Sequence, residues 1–337
     1  MKRKLIVVSA ILLVALLACV SLVACNENDA PAAETAYRFS APEGTPALAM
    51  LRLVTDNASI DGHAMEYSVV KPANIASEMS SKASDLVIMP VNAGANLIRL
   101  GADYKLVGIA VDGSLYMVGT TASGGEITLD DVKGKRVACI GQTGVPGLVF
   151  RYVMKANGIE LVDENTTPSS EQVSVRYAAD GTAAAQLLQG GQVDFMVVGE
   201  PAASAQTKRL SLNAEMDMQA EYAKVSGVAN YPQAGLFVKS EIAQNQTFMD
   251  ALFDALAQSK SWIAQNNGQV DGYAKEHLYE SAVFPAFAVT RCAVNATRLD
   301  DVQKAQVITF LEKVMSKDAQ GNDIDWQSAK SLIFQAA

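Results

Sequence analysis

From residue 37 onward, short apolar runs alternate with segments of helical period, and this alternation limits the fold more than any other feature. "YRFSAP", "MEYSVV", "DLVIMP" and "YKLVGIAV" read as strands. Between them, "TPALAMLRLV", "ANIASEMSSK" and "NAGANLIRLG" carry apolar residues at helical spacing. An unbroken apolar run such as "DLVIMP" suits a strand buried on both faces, which requires helices on either side of the sheet. The order β-α-β-α therefore predicts an α/β protein built on parallel strands. Thr45 and Asn92 stand where helix N-caps are expected, and Pro46 suits a first helical turn.

A second unit of the same kind starts near Leu129. "LDDVKGKRVACIG" gives a short turn and a strand, and "GVPGLVFRYVMKANG" a helix ending at Gly158. "QVSVRYA", "DGTAAAQLLQGG" and "VDFMVVGEP" continue as strand, helix and strand. "AGLFVKS" then reads as a return strand, followed by a long helical region over 243–277. The C-terminal "LDDVQKAQVITFLEKVM" is an amphipathic helix with Val302, Val307, Ile308, Leu311 and Val314 on its apolar face. The expected organisation is an outer α/β lobe of residues 37–118 and 232–337, interrupted by an inserted α/β lobe of residues 119–231. Two chain crossings, near 115–121 and 225–238, would form a hinge.

Ligands of open α/β sheets sit outside the carboxyl ends of the strands. The loops there are "APEGTP", "PVNAGA", "VDGS", "GQTGVPG", "ADGT" and "GEPA". Three of them feed helix N-termini, which present free N–H groups. Ordinary βα turns use the same residues, so it is their clustering across two lobes that points to a cleft. The candidate ligand contacts are Thr45, Asn92 and Ser114 from the outer lobe and Gln142, Thr143 and Glu200 from the inserted one. Tyr231, near the return crossing, could stack on a planar solute. None of these loops contains Lys or Arg, while Glu43, Asp112, Asp180 and Glu200 are present. An Arg fork is the usual partner of phosphate or sulfonate, so a neutral or cationic solute is expected.

No catalytic constellation is visible. There is no Gly-x-Ser-x-Gly elbow, and "GQTGVPG" lacks the Lys-Ser/Thr of a P-loop. Cys139 sits in a strand as a core residue, and His63 and His277 are isolated, so neither a metal site nor a cofactor is expected. The net charge of −9 without basic clusters argues against nucleic acid as a partner.

The N-terminus answers where such a chain would work. Lys2, Arg3 and Lys4 precede an apolar stretch over 5–23, the layout of a secretory signal. Leu22-Val23-Ala24-Cys25 resembles a bacterial lipobox, which implies removal of residues 1–24 and lipidation of Cys25. Residues 25–36, small, polar and acidic, read as a flexible tether. An uncleaved membrane anchor is the alternative.

The stretches "SAPEGTPALAML", "DLVIMPVNAGANLI", "GSLYMVGT", "LDDVKGKRVACIGQTGVPGLVFRYVMKANGI" and "YPQAGLFV" resemble the solute-binding lipoproteins of ABC importers. Within that family they are similar to the nitrate/sulfonate/taurine/thiamine-precursor-like branch. The resemblance covers most of the chain from Tyr37 on. It implies the type II periplasmic-binding-protein fold and capture of a small organic solute by hinge closure. It also implies an extracytoplasmic, lipid-anchored, monomeric protein partnered by an ABC permease. A planar or heteroaromatic solute is among the options. Alternatives are a sensory lipoprotein, an oxyanion (nitrate or sulfonate) binder, and an enzyme like the menaquinone-route dehydratases of the same fold.

Overall fold

The computed structural model describes residues 36–334. The leader, Cys25 and all of the tether but Ala36 lie outside the described residues. Among the described residues no helix is long and apolar enough to cross a membrane.

The chain enters a first sheet through β1 (Tyr37–Pro42), β2 (Met65–Val70), β3 (Leu86–Pro90) and β4 (Tyr104–Asp112). It crosses to a second sheet made of β5 (Leu115–Gly119), β6 (Gly125–Glu126), β7 (Arg136–Ile140), β8 (Glu160–Asp163), β9 (Gln172–Ala178), β10 (Phe195–Gly199) and β11 (Ala214–Asp217). It then returns to the first through β12 (Pro232–Lys239) and β13 (Val294–Arg298). The first sheet has the order β13-β4-β12-β3-β1-β2 and the second β6-β11-β5-β10-β7-β9-β8.

The sheets are mixed rather than wholly parallel. β12 runs antiparallel to both β3 and β4, and β5 antiparallel to both β10 and β11. These are the strands by which the chain arrives from the opposite lobe, so no βα crossover within the lobe sets their direction. The first passage falls at Gly113–Ser114. It precedes the boundary expected at 118/119, because β5 already pairs with β10 and β11. The second lies between the helix Met218–Ser226 and β12.

Alternation along the central strands sorts side chains onto two faces. Val87 and Met89 of β3 join one core, while Leu86 and Ile88 join another. Val137 and Cys139 of β7 face the same core as Val87, and Ala138 the opposite one. That shared core spans both sheets, with Phe237, Tyr231 and Phe310 along its length. The helix Asp301–Val314 contacts the helix Val145–Ala156, and the helix Trp326–Ile333 contacts the helix Val91–Arg99.

Several local expectations change. "TPALAMLRLV" forms two short helices, Thr45–Leu48 and Leu51–Thr55, and the region 243–277 breaks between Gln246–Gln265 and Val270–His277. The N-caps are Gly44 and Pro90, so Thr45 and Asn92 fall inside their helices, with side chains free for other partners. Val302 is 66% exposed, whereas Phe310, at 2%, fills the place expected of it.

Cys139 and Cys292 are free thiols, fully buried. Burial pushes the Cys292 thiol up to about 12 and that of Cys139 higher still. The thiolate is the reactive form, so at pH 8 both should resist iodoacetamide in the native protein and react at once in denaturant. Peptide-resolved mass spectrometry reads this directly. Rapid native alkylation of Cys292 would contradict its packing.

Candidate functional site

The loops at the carboxyl ends of β1, β3, β7 and β10 face one another across the two lobes. Thr45 opens the helix after β1 and is 2% exposed. Its Oγ1 donates to the backbone carbonyl of Glu200, at the end of β10, at 2.9 Å. Asn92 follows β3 and is also 2% exposed. Its Nδ2 donates to the carbonyl of Thr143 at 2.9 Å, and its Oδ1 is buried with no hydrogen-bond partner. Two of the expected loops of the first lobe are thus in direct contact with two of the second, and the lobes stand closed on each other.

Glu200 sits at the centre. Its carboxylate accepts from Ser204 twice, from the backbone N–H at 3.1 Å and from the hydroxyl at 2.8 Å. Burial raises its pKa, against the opposing pull of the Ser204 bonds and the nearby guanidinium of Arg291. The Glu200–Pro201 peptide bond is cis.

Arg291 is the residue that sequence reasoning missed. It lies in the single turn Thr290–Cys292 of the first lobe and reaches into the second. Its Nε stands 2.7 Å from Glu200 Oε1, an ion-pair distance, although the N–H is not aimed at an acceptor. Its Nη2 is 2.9 Å from Glu215 Oε2. Its guanidinium carbon lies 3.9 Å from the centre of the Tyr116 ring, within the range of a cation–π contact. Burial works against the charge of Arg291, but the Glu215 hydrogen bond and the charges of Glu200 and Glu215 outweigh it, and its pKa is raised. The expectation of a cleft without basic residues is therefore corrected. Arg291 comes from a turn before β13, not from a βα loop, so no loop motif could have flagged it.

Ser114 and Tyr231 lie at the two chain crossings between the sheets. The Ser114 carbonyl accepts from the Glu200 N–H at 2.8 Å, and the Ser114 N–H donates to Gln233 Oε1 at 3.2 Å. Tyr231 is 1% exposed. Its ring stacks on Phe310 (5.8 Å between centroids, 8° between planes) and meets Tyr222 edge-on at 5.1 Å. Its hydroxyl donates to Gln219 Oε1 at 2.8 Å, which also accepts the N–H of Leu115 at 2.7 Å. The face expected to stack on a solute is thus occupied by Phe310. A cavity of about 290 Å³ lies beside it, lined also by Asp112, Asn295 and Gln306.

Gln142 and Thr143 are exposed, at the mouth of an open pocket of about 650 Å³ on the second lobe. Arg151 braces their loop, donating to the Gln142 carbonyl at 2.6 Å and to the Tyr177 hydroxyl at 3.0 Å. Among the described residues no group of three or more His, Cys, Asp or Glu side chains is placed to hold a metal ion.

An interlobe hydrogen bond contributes about 0.5–1.5 kcal/mol net, and the half-exposed Arg291–Glu215 pair less than about 1 kcal/mol, while desolvation of the buried Glu200 carboxylate offsets its attraction to Arg291.

Comparison with known proteins fits this geometry. Residues 65–269 match the family model described as NMT1/THI5 like. No curated protein matches the chain in sequence. Among solved structures, an ABC transporter protein from Parabacteroides distasonis is 20% identical with a TM-score of 0.68, over 86% of this chain and 97% of its own. The periplasmic aliphatic sulphonate-binding protein SsuA from Escherichia coli is 13% identical with a TM-score of 0.60, over 88% of this chain and 98% of its own. The ligand-binding component of an ABC-type import system from Staphylococcus aureus is 10% identical with a TM-score of 0.62, over 89% and 96% respectively. At these identities the likeness is one of fold, the two-lobed α/β architecture of periplasmic binding proteins. With more than half of its length matched by the family model, the chain belongs to the NMT1/THI5-like family.

Proposed function

We propose that this protein is the solute-binding component of an ABC importer, held outside the cell by lipid on Cys25, and that it captures its solute between the lobes. The observation that carries the reading is the set of contacts across the cleft: Thr45 to Glu200, Asn92 to Thr143, and Arg291 to Glu200 and Glu215. Each joins groups from different lobes, around a hinge at Ser114 and Tyr231. A solute touching both lobes is fully engaged only when they close, so it shifts the population to the closed form. On this reading the protein binds rather than catalyses, acts as a monomer, and hands its solute to a permease; in support, the neighbour from Staphylococcus aureus is named as the ligand-binding component of an ABC-type import system.

The solute is a small organic molecule, neutral or cationic. Arg291 does not overturn that preference, because its guanidinium is already engaged by two carboxylates that an anionic solute would have to displace. The contacts are assigned to Thr45, Asn92, Gln142, Thr143 and Glu200, with Ser114 and Tyr231 acting through the hinge.

A thermal-shift screen of small metabolites tests the reading. A solute at 100 times its Kd stabilises the protein by about 2.7 kcal/mol. If Glu200→Gln weakens the response to a hit about tenfold, the solute is cationic; strengthened binding would instead point to an anion. A broad metabolite set without a stabilising member would sink the importer reading. For the anchor, Cys25→Ala should abolish incorporation of a labelled lipid precursor and release the protein from the membrane fraction. Continued labelling would refute lipidation at this residue.

A further inference from the structure

We propose that Tyr116, Glu200 and Glu215 form a subsite on the second lobe for a planar cation, a guanidinium or amidinium group of the solute, and that Arg291 fills it from the first lobe when no solute does. This deepens the importer reading and rests on it.

The walls of the subsite come from three adjacent strands, in the order β11-β5-β10. Tyr116 of β5 pairs with Val198 of β10, and Val118 pairs with Glu215 of β11. Paired residues share a face, and residues two apart on a strand share it too. Tyr116 and Glu215 therefore project from the same side of the sheet. Glu200, just beyond the end of β10, closes the group. Its side chain is fully buried and fixed by Ser204. The side chains of the subsite thus all come from the second lobe, where Ser204 holds the Glu200 carboxylate.

What occupies it shows what it fits. The flat guanidinium of Arg291 lies over the Tyr116 ring and meets a carboxylate on either side. A planar cation can stack and offer donors to both carboxylates at once, whereas an ammonium has the charge without the plane. Two carboxylates surround one guanidinium, so the local balance is negative even when it is filled. The Nε of Arg291 finds no acceptor in line, so its fit leaves something for a better-placed cation to gain.

Opening the lobes withdraws Arg291 and leaves Glu200, still held by Ser204, and Glu215 facing the ring without that cation. That is the moment at which a solute cation competes. Arg291 then acts as an internal competitor, setting a threshold that a weakly fitting solute does not pass.

Benzamidinium, a small planar cation, is the probe, titrated calorimetrically into the full-length protein and its variants. The expected result is binding at least tenfold tighter to Arg291→Ala than to the wild type, because the internal competitor is gone. Glu200→Gln or Tyr116→Leu in the Arg291→Ala background should each lose at least fivefold. Benzylammonium, with the same charge but no planar cation, should bind Arg291→Ala at least tenfold more weakly than benzamidinium. Equal benzamidinium affinity for wild type and Arg291→Ala, no binding to a folded Arg291→Ala, or equal binding of benzylammonium would each overturn the proposal. If circular dichroism shows Arg291→Ala unfolded, Glu215→Gln, at a half-exposed carboxylate, replaces it. It should weaken benzamidinium binding to the wild-type cleft at least threefold, and unchanged affinity would then refute the subsite. Metabolite hits that stabilise the protein while benzamidinium fails would overturn the subsite alone. A metabolite set without hits, with benzamidinium binding as expected, would overturn the importer reading alone.

Discussion

Tyr231→Ala should lower the stability of the protein by about 3–5 kcal/mol, the range for removing a large buried aromatic side chain. The loss comes from three sources at the hinge. The stacked contact with Phe310 and the edge contact with Tyr222 disappear. The hydroxyl bond to Gln219 disappears as well. The adjoining cavity of about 290 Å³ gives the neighbours little to collapse against, which places the cost toward the upper end. Tyr231→Phe separates these contributions. It removes only the hydroxyl, and Gln219 Oε1 keeps the N–H of Leu115, so the cost should be about 0.5–1.5 kcal/mol. Urea denaturation with an unchanged slope measures both. A solute-stacking tyrosine would behave in the opposite way, with stability kept and affinity lost in Tyr231→Ala. That result would remove Tyr231 from the core and return it to the binding surface.

Gly147→Ala should destabilise by about 1–3 kcal/mol and weaken solute binding as well. Two effects compete here. Gly147 lies inside the helix Val145–Ala156, where alanine is intrinsically better by about 1 kcal/mol. Yet a Cβ at this position would stand 2.5 Å from the Gly141 carbonyl oxygen and 3.0 Å from the Cα and carbonyl oxygen of Gln142. These are backbone atoms, which cannot rotate away, so overpacking outweighs propensity. The loop that must move carries Gln142 and Thr143, and the Thr143 carbonyl is the acceptor for Asn92. Thermal unfolding and solute titration should therefore shift together. A neutral or stabilised Gly147→Ala would mean that the loop gives way without cost and does not depend on that turn.

Much of the fold was legible because the central strands are buried on both faces. "DLVIMP" and "VDFMVVGEP" became β3 and β10, in the middle of their sheets, where an unbroken apolar run is required. The strands that escaped notice are short and lie at or next to an edge. β6, β8 and β13 are terminal strands, and β11 stands beside β6. An edge strand needs less apolar surface, so "VNATR" and "ELVD" leave little pattern to read. The C-terminal helix was legible from its period, but Val302 sits in its first turn, beyond the reach of the core.

The site was legible in part. The placement of Thr45, Asn92 and Glu200 at facing loops could be read from the sequence, because βα loops lie at the carboxyl ends of the strands and strand order puts those ends together. Their partners were not legible as pairs, since Thr45 and Glu200 are 155 residues apart. Arg291 was invisible for the same reason in stronger form: it reaches the cleft from the turn just before β13 of the first lobe, and only tertiary packing brings it onto Tyr116.

The account stands or falls on movement of the lobes about the hinge. Small-angle scattering of Arg291→Ala, with and without a solute identified by thermal shift, tests it most directly. Without the Arg291 contacts the free variant should open, giving a larger radius of gyration than the solute-free wild type. Saturating solute should bring it back to the compact value of the closed structure. A variant that binds the solute while its radius of gyration stays the same with and without it would contradict capture by closure of the two lobes.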